Sequence, residues 1–459
     1  MYIVDFQKPI HVHMIGIGGI SMSGLAEILL QRHFKVSGSD MHRSDLTDHL
    51  KANGAVIMIG QAADNISDDI DLVVYTAAIH EDNPEFAEVK RRGIPVMTRA
   101  ELLGQIMANF SRSIAVAGTH GKTTTTSMLT HILLQAGTDP TISIGGILDR
   151  IKGNIRVGGS DVFLTEACEY TNSFLSLHPL YSIILNVEED HMDFFKDLSD
   201  IKHSFRTFAS QTAEDGLIII NGDMDCSDEI LEGLHRRHVS FGLNPGNDYS
   251  AADIAFDETG NASYRLLVHG QDQGEISLCV KGRHNIMNSL AAIACSQAMG
   301  LPLETIREGL LSFGGTHRRF ELKGLLGDVT IVDDYAHHPT EIEATLTAAA
   351  DYPHDDLWVV FQPHTYTRTK AFLHDFARVL TMADHVIIAE IYAAREPDTG
   401  LVSSADLTDL IREAGTDVYH IRTFREIEDF LRGRLRGHDL LITMGAGNVV
   451  EIGEDLLKR

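Results

Sequence analysis

The chain has 459 residues, 44% of them hydrophobic and 22% charged, with a formal net charge of −27. That length exceeds what one hydrophobic core fills and points to about three domains of an ordinary globular kind, and the acidic balance excludes a broad nucleic-acid surface, which needs an excess of lysine and arginine. No apolar run of ~20 residues offers a membrane span, glycines interrupt residues 1–30 where a signal peptide would carry its apolar core, and Cys168, Cys226, Cys279 and Cys295 lack metal-ligand spacing, so a cytoplasmic protein with free thiols and no membrane insertion is expected.

The amino-terminal segment reads as a strand, His11–Ile15, a helix, Ser21–Arg32, and a strand, Lys35–Ser39, ending at Asp40, with further strands at Ala55–Ile59 and Leu72–Tyr75. This is the pattern of a parallel, doubly wound sheet. The turn after the first strand is GIGGISMSG, 16–24. Its close glycines, Gly16, Gly18 and Gly19, allow a diphosphate to approach the backbone at a helix start, and Asp40 is placed to meet a ribose. A dinucleotide cofactor is the rival occupant, but the sixth position of its fingerprint is Ser21 rather than glycine or alanine. A purely structural turn is the third reading.

A second block opens at Ile114 with the run AGTHGKTTTT, 117–126, between the strand Ile114–Ala117 and a helix over Ser127–Gln135. Strand, glycine turn and helix start surround one point with backbone N–H groups and the positive end of a helix dipole, which suits the phosphates of ATP or GTP. Gly118, Thr119, His120 and Gly121 would form the cradle, Lys122 the charge on the β- and γ-phosphates, and Thr123 or Thr124 the hydroxyl on Mg²⁺. The loop is shorter than that of ordinary kinases and GTPases. A glycine turn with a solvated lysine is the bland alternative, disfavoured by the strand–loop–helix setting. Further strands are expected at Val162–Thr165, Ser182–Asn186 and Leu217–Ile220, with a helix over 285–299. EACEYTNSFL, 166–175, and NVEEDHMDFF, 186–195, each follow a strand, so a carboxylate and an imidazole at adjacent strand ends can hold Mg²⁺ and a substrate carboxylate beside the phosphates. Alone, either would be read as a cap.

The third block begins near Arg319, with strands Val329–Val332, Trp358–Phe361, Val386–Ala389 and Leu440–Thr443 and helical patterns at 339–350, 369–380 and 404–413. The domains are therefore drawn at 1–107, 108–318 and 319–459.

Together with GRHNIMNSLAA at 282–292, RRFE at 318–321, VDDYAHHPTEI at 332–342 and FQPHTYTRT at 361–369, these motifs resemble, in order and over essentially the whole chain, the Mur ligase family of cell-wall enzymes. The resemblance implies an α/β protein of three domains: a Rossmann-like amino-terminal domain for a UDP-sugar, a central P-loop mononucleotide-binding ATPase domain, and a Rossmann-like carboxy-terminal domain that brings an amino acid. The implied reaction joins L-alanine to the carboxylate of UDP-N-acetylmuramate at the expense of ATP, through an acyl phosphate. Implied UDP-sugar contacts are Gly16, Gly18, Gly19, Ser23 and Asp40. Lys122, Glu166 and His191 are the implied catalytic residues; Thr123 (or Thr124) and Glu166 resemble ligands of one Mg²⁺, and His191 the ligand or orienter of a second.

On the same resemblance Asn285 and Asn288 serve the adenine side of ATP, Arg318 or Arg319 its phosphates and Asp334 its ribose. Either asparagine could instead cap a helix. Tyr335, His337, His364 and Arg368 are the candidates for the amino acid, Arg368 first because a guanidinium fork matches an α-carboxylate. A solvated surface is the alternative for the histidines, of which the chain has 24. The sequence departs from the family at Glu169-Tyr170-Thr171, where many members carry an acidic and serine-rich run, and at Thr365, where many carry arginine. Two rival functions follow: a sister ligase that attaches a preformed peptide to the same nucleotide sugar, and a nucleotide-sugar dehydrogenase or non-catalytic nucleotide-binding module, which would leave the phosphate loop without a task.

Overall fold

Apolar, β-branched runs punctuated by glycine turns build three separate sheets in the computed structural model, which describes residues 2–76, 78–394 and 396–458. The first is all parallel, with spatial order Val56–Ile59, Lys35–Asp40, His11–Ile15, Leu72–Tyr75, Val96–Thr98. Chain order reverses direction at His11–Ile15. The glycine turn after that strand therefore lies at the switch point where such sheets bind ligands.

The second sheet has ten strands. At its centre Arg112–Ala117 lies between Val162–Ala167 and Tyr181–Ile184, all parallel, with Val116 opposite Glu166 and Ala117 opposite Ile184. That register places the segments following all three strands around one point. An antiparallel extension, Tyr249–Phe256, Asn261–Val268 and Gln271–Lys281, continues the sheet on one side. The third sheet has six strands: an antiparallel hairpin, Glu321–Leu326 and Val329–Asp334, then Leu440–Met444, Leu357–Phe361, His385–Ile388 and Asp417–His420 in parallel.

Three elements differ from the sequence reading. The helix after the phosphate loop begins at Lys122 rather than Ser127. Consecutive β-branched threonines disfavour a helix locally, but Gly121, at φ 84°, starts it and burial of Thr125 and Thr126 holds it. The strand expected at Ser182–Asn186 ends at Ile184, because Asn186 turns to brace the phosphate loop. The pattern at 369–380 is two helices, Tyr366–Ala371 and Leu373–Leu380, the first capped by the Thr365 side chain. No helix among the described residues is long and apolar enough to cross a membrane.

The core shows how the sheets join. One apolar cluster runs without a break from Val12, Leu25, Leu102 and Phe110 of the first sheet's layer to Ala115, Phe163 and Phe205 of the second. Phe110 stacks on Phe163 with ring centroids 5.0 Å apart. The third sheet keeps its own two clusters, and several of its contacts with the central sheet are polar.

Candidate active site

The phosphate loop is held open from behind by backbone and amide groups. His120 N donates to Asn186 Oδ1 at 2.7 Å and Asn186 Nδ2 donates to the His120 carbonyl at 3.0 Å, so one amide clamps both sides of that peptide. Gly118 and Gly121 are both at positive φ, and a Cβ on Gly121 would lie 2.6 Å from Asn288 Oδ1, so this loop takes no side chain there. Lys122 turns back over the loop: its Nζ donates to the carbonyls of Gly118 and Thr119 and to both Glu169 oxygens, at 2.9 and 3.2 Å. Burial works against its charge, but Glu169 and the neighbouring acidic groups outweigh it and raise its pKa.

Glu166, on the neighbouring strand, is half-buried, and desolvation raises its pKa against the pull of the Gly145 N–H, the Thr123 hydroxyl and Lys122. Gly145 N donates to Glu166 Oε1 at 2.7 Å. Thr123 and Glu166 thus present a hydroxyl and a carboxylate to one another beside the loop, a hard-oxygen set of the kind Mg²⁺ takes. His191 lies on the other flank, its Nε2 3.5 Å from Glu169 and 3.8 Å from Asp190, with its ring against Tyr170. Glu169, 2% exposed, therefore spans Lys122 and His191. Burial opposes its charge, but Lys122 and the contact with His191 pull its pKa below the usual carboxylate value.

A cavity of about 600 Å³ opens beside the loop, lined by His120, Gly121, Thr124, Asn285, Asn288, Arg319 and Asp334 among others. Asn285 Nδ2 donates to the Lys281 carbonyl and Asn288 Nδ2 to Asn285 Oδ1. Arg319 faces this space with Glu341, Asp334 and Glu166 around it. Arg318, its neighbour, turns the other way: Nε pairs with buried Asp333 at 2.9 Å, and its terminal nitrogens donate to the carbonyls of Gly445 and Gly447. Asp334 accepts from the Phe320 and Ala336 N–H groups, and burial pushes its pKa up to about 6 against Arg319.

A second cavity, of about 550 Å³, brings together Tyr335, His337, His364 and Arg368 of the third domain with Asp190 and His191 of the central one. Arg368 Nε and Nη2 both donate to Asp190 Oδ1, at 3.2 and 2.8 Å, and Nη1 lies 3.2 Å from His364 Nδ1. The guanidinium so placed holds the Asp190 carboxyl well below the usual range, even though burial acts the other way.

The segment 186–191 walls both cavities and is tied to the third domain. His338 Nε2 donates to the Glu189 carbonyl at 3.0 Å, Thr340 Oγ1 to Glu188 at 2.7 Å, and His120 Nδ1 lies 3.1 Å from Glu341. His120, Glu188 and His338 bring three potential metal donors within 4.8 Å of one another. Both nitrogens of His338 are already engaged, however, with Thr340 N and the Glu189 carbonyl, and His120 pairs with acids, so the group reads as a latch between domains. Burial would lower the His120 pKa, but Glu341 and Glu188 carry it to about 9.

The amino-terminal turn is more self-contained. Gly18 N donates to Asp40 Oδ2 at 2.9 Å, so Asp40 braces the turn itself. Ser23 spends its hydroxyl on the Ile20 carbonyl. Sequence reasoning assigned no role to Asn186, Glu169, Glu188 or Glu341. All four lie within motifs already singled out, but what each touches is set by the tertiary fold.

Three family models cover most of the chain: "Mur ligase family, catalytic domain" at residues 11–111, "Mur ligase middle domain" at 116–296 and "Mur ligase, glutamate ligase domain" at 318–447. A UDP-N-acetylmuramate–L-alanine ligase of Agathobacter rectalis is 60% identical over 459 residues, covering all of both chains, and one of Caldanaerobacter subterraneus is 50% identical over 99% of each. Among solved structures, a UDP-N-acetylmuramate-alanine ligase of Thermotoga maritima matches with a TM-score of 0.80 at 28% identity over 98% of each chain. A murein peptide ligase of Psychrobacter arcticus matches with a TM-score of 0.70 at 26% identity, also over 98% of each. With family models matching 11–111, 116–296 and 318–447 and a relative 60% identical over the full length, the chain belongs to the Mur ligase family.

Proposed function

We propose that this chain is an ATP-dependent carboxylate–amine ligase that joins L-alanine to UDP-N-acetylmuramate, releasing ADP and phosphate, in cytoplasmic synthesis of peptidoglycan precursors. The observation that carries the reading is that one segment, 186–191, walls both the cavity beside the phosphate loop and the cavity holding Tyr335, His337, His364 and Arg368. A phosphoryl donor and an amine are thereby presented to opposite sides of the same few residues. The identity to full-length L-alanine ligases favours this amine over a preformed peptide.

The chemistry follows from the electrophile. A free carboxylate resists attack because its oxygen is a poor leaving group. Transfer of the γ-phosphoryl group to it expels ADP and gives an acyl phosphate; the amine of alanine then adds to the acyl carbon, loses a proton, and phosphate departs from the tetrahedral intermediate. Lys122, released from Glu169, would offset charge on the transferring phosphoryl group, which is mainly positioning and electrostatics. Asn285, Asn288, Arg319 and Asp334 would seat the nucleotide. Arg368 would orient the amino acid, and the domain latch would exclude water from the acyl phosphate. Thr123 and Glu166, with His191 on the far side, would hold Mg²⁺, which when bound supplies charge neutralisation between the two anionic substrates. The amino-terminal turn at residues 16–23 of the domain drawn at 1–107 would seat the UDP-sugar.

The test is phosphate release from ATP in the presence of UDP-N-acetylmuramate and each amine in turn. Release with L-alanine and none with a peptide beginning in L-alanine is expected; the reverse would replace this reading with the peptide ligase.

A further inference from the structure

Arg99 is a cation without a carboxylate in a strongly acidic chain. It stands at the carboxyl end of the strand Val96–Thr98 and is the first residue of the helix Arg99–Met107, where the positive end of the dipole disfavours a cation. The acidic residue of that first turn, Glu101, is spent on the capping box: its carboxylate accepts from Thr98 N and Oγ1 at 2.6 and 2.8 Å. Among the described residues no carboxylate lies within ion-pair distance of Arg99, whose Nη1 donates to Ser21 Oγ at 3.1 Å. The guanidinium is half-buried, and burial depresses its pKa. A partly desolvated, unpaired charge at the wrong end of a helix is a cost that folding alone does not explain.

Its surroundings supply the explanation. Ser21 belongs to the glycine turn at the switch point of the first sheet. The N–H groups of the turn proper are already in use: Gly16 and Ile17 donate to the Ser39 carbonyl, Gly18 to Asp40, and Gly19 to the Gly16 carbonyl, which leaves an anion the first-turn N–H groups of the helix that starts at Ile20. Those groups carry only partial charge, and Arg99, through Ser21, is the full positive charge that reaches the turn. Arg99 also lies near Cys168 of the central segment.

We infer that Arg99 binds the diphosphate of the nucleotide sugar, as the charge that the glycine turn lacks. This rests on the proposed UDP-sugar reading of the turn. Binding of UDP and of UDP-N-acetylmuramate is to be measured by calorimetry for the wild-type chain, Arg99→Ala and Arg99→Lys, with ATP affinity and thermal melting as controls for folding. Loss of a charge-assisted phosphate contact should weaken both ligands roughly ten- to a hundredfold in Arg99→Ala, and less in Arg99→Lys, which keeps the charge but not the fork; ATP affinity should stay unchanged. If Arg99→Ala does not fold, the lysine variant carries the same comparison. Unchanged UDP affinity in a folded variant overturns the inference, as does a loss confined to UDP-N-acetylmuramate, which would move Arg99 to the sugar's carboxylate. A wild-type chain that binds neither ligand overturns the UDP-sugar reading itself, and the inference with it.

Discussion

The two junctions between the three domains are built from opposite materials. Between the first and second sheets the apolar core is continuous, with Phe110 stacked on Phe163 and Leu102 in the same cluster as Phe205. Between the second and third, among the described residues, the ties include hydrogen bonds and ion pairs, His338 to Glu189, Thr340 to Glu188, His120 to Glu341 and Arg368 to Asp190, and the Lys281 ammonium over the Phe320 and Tyr352 rings. An apolar seam gains by staying shut, whereas polar pairs exchange for water at little net cost, so the second junction is the one suited to open for substrates and close for chemistry. The two cavities proposed for phosphoryl transfer and amine binding lie at that polar junction, and the glycine turn proposed for the diphosphate belongs to the first domain, across the apolar one.

The largest effect should come from Lys122→Ala. It removes the charge on the phosphoryl group, so turnover should fall at least ~10³-fold by the scale of preorganised charge stabilisation, while UDP-N-acetylmuramate binding is retained. Calorimetry beside steady-state kinetics checks this, and equal loss of both in a folded variant would contradict the separation of the two sites. At the apolar seam, Phe110→Ala should cost about 3–5 kcal/mol of stability, read as a lower denaturation midpoint. A cost comparable to that of Thr340→Ala at the polar junction would erase the contrast. Arg318→Ala should also destabilise by about 3–5 kcal/mol, because buried Asp333 loses its partner, with the KM for ATP unchanged; Arg319→Ala should raise that KM instead.

Arg368→Lys keeps a charge but loses the fork. The apparent alanine affinity should drop roughly ten- to a hundredfold, with acyl phosphate still trapped by borohydride reduction. Loss of the trapped intermediate with alanine affinity intact would instead place Arg368 in the phosphoryl-transfer site. The smallest effect is on pH dependence. The His120 pKa is carried above its ordinary 6.5 to about 9 by Glu341 and Glu188 against burial, with the His338 ring packed on it. A raised folded value means stabilisation that is complete below about 6.5 and lost as pH rises through about 9. Melting of the nucleotide-free chain should therefore weaken more between pH 7 and 9.5, a window set by the linkage argument, in wild type than in His120→Asn. Parallel curves would mean that the latch is not charged.

Much of this architecture was legible in local pattern. Strands such as His11–Ile15 and Leu72–Tyr75 were read to the residue because an apolar run bounded by glycine or polar turns has few other interpretations. What local pattern missed is where tertiary contact decides. The threonine-rich start of the helix at Lys122 defies propensity because the threonines are buried, and Asn186 leaves its strand because the phosphate loop needs an amide behind it. The candidate residues were chosen by motif, but motif does not show direction: adjacent Arg318 and Arg319 point to opposite sides, and Ser23 and Asp40 turn out to serve the turn itself. For Gly18 this changes the argument, since an added Cβ would lie 2.8 Å from Asp40 Oδ2 and so obstruct the brace before any ligand arrives. Partners such as Glu169 and Glu341 are set by folding across long stretches of chain, which no spacing rule encodes.

The central claim is that carboxylate activation occurs at the polar junction through an acyl phosphate. The most direct measurement uses UDP-N-acetylmuramate labelled with ¹⁸O in its carboxylate, together with ATP and L-alanine, and follows the label by mass spectrometry. Transfer of one labelled oxygen from each carboxylate into the released phosphate is the predicted result; label confined to the amide product, with none in phosphate, would contradict the account.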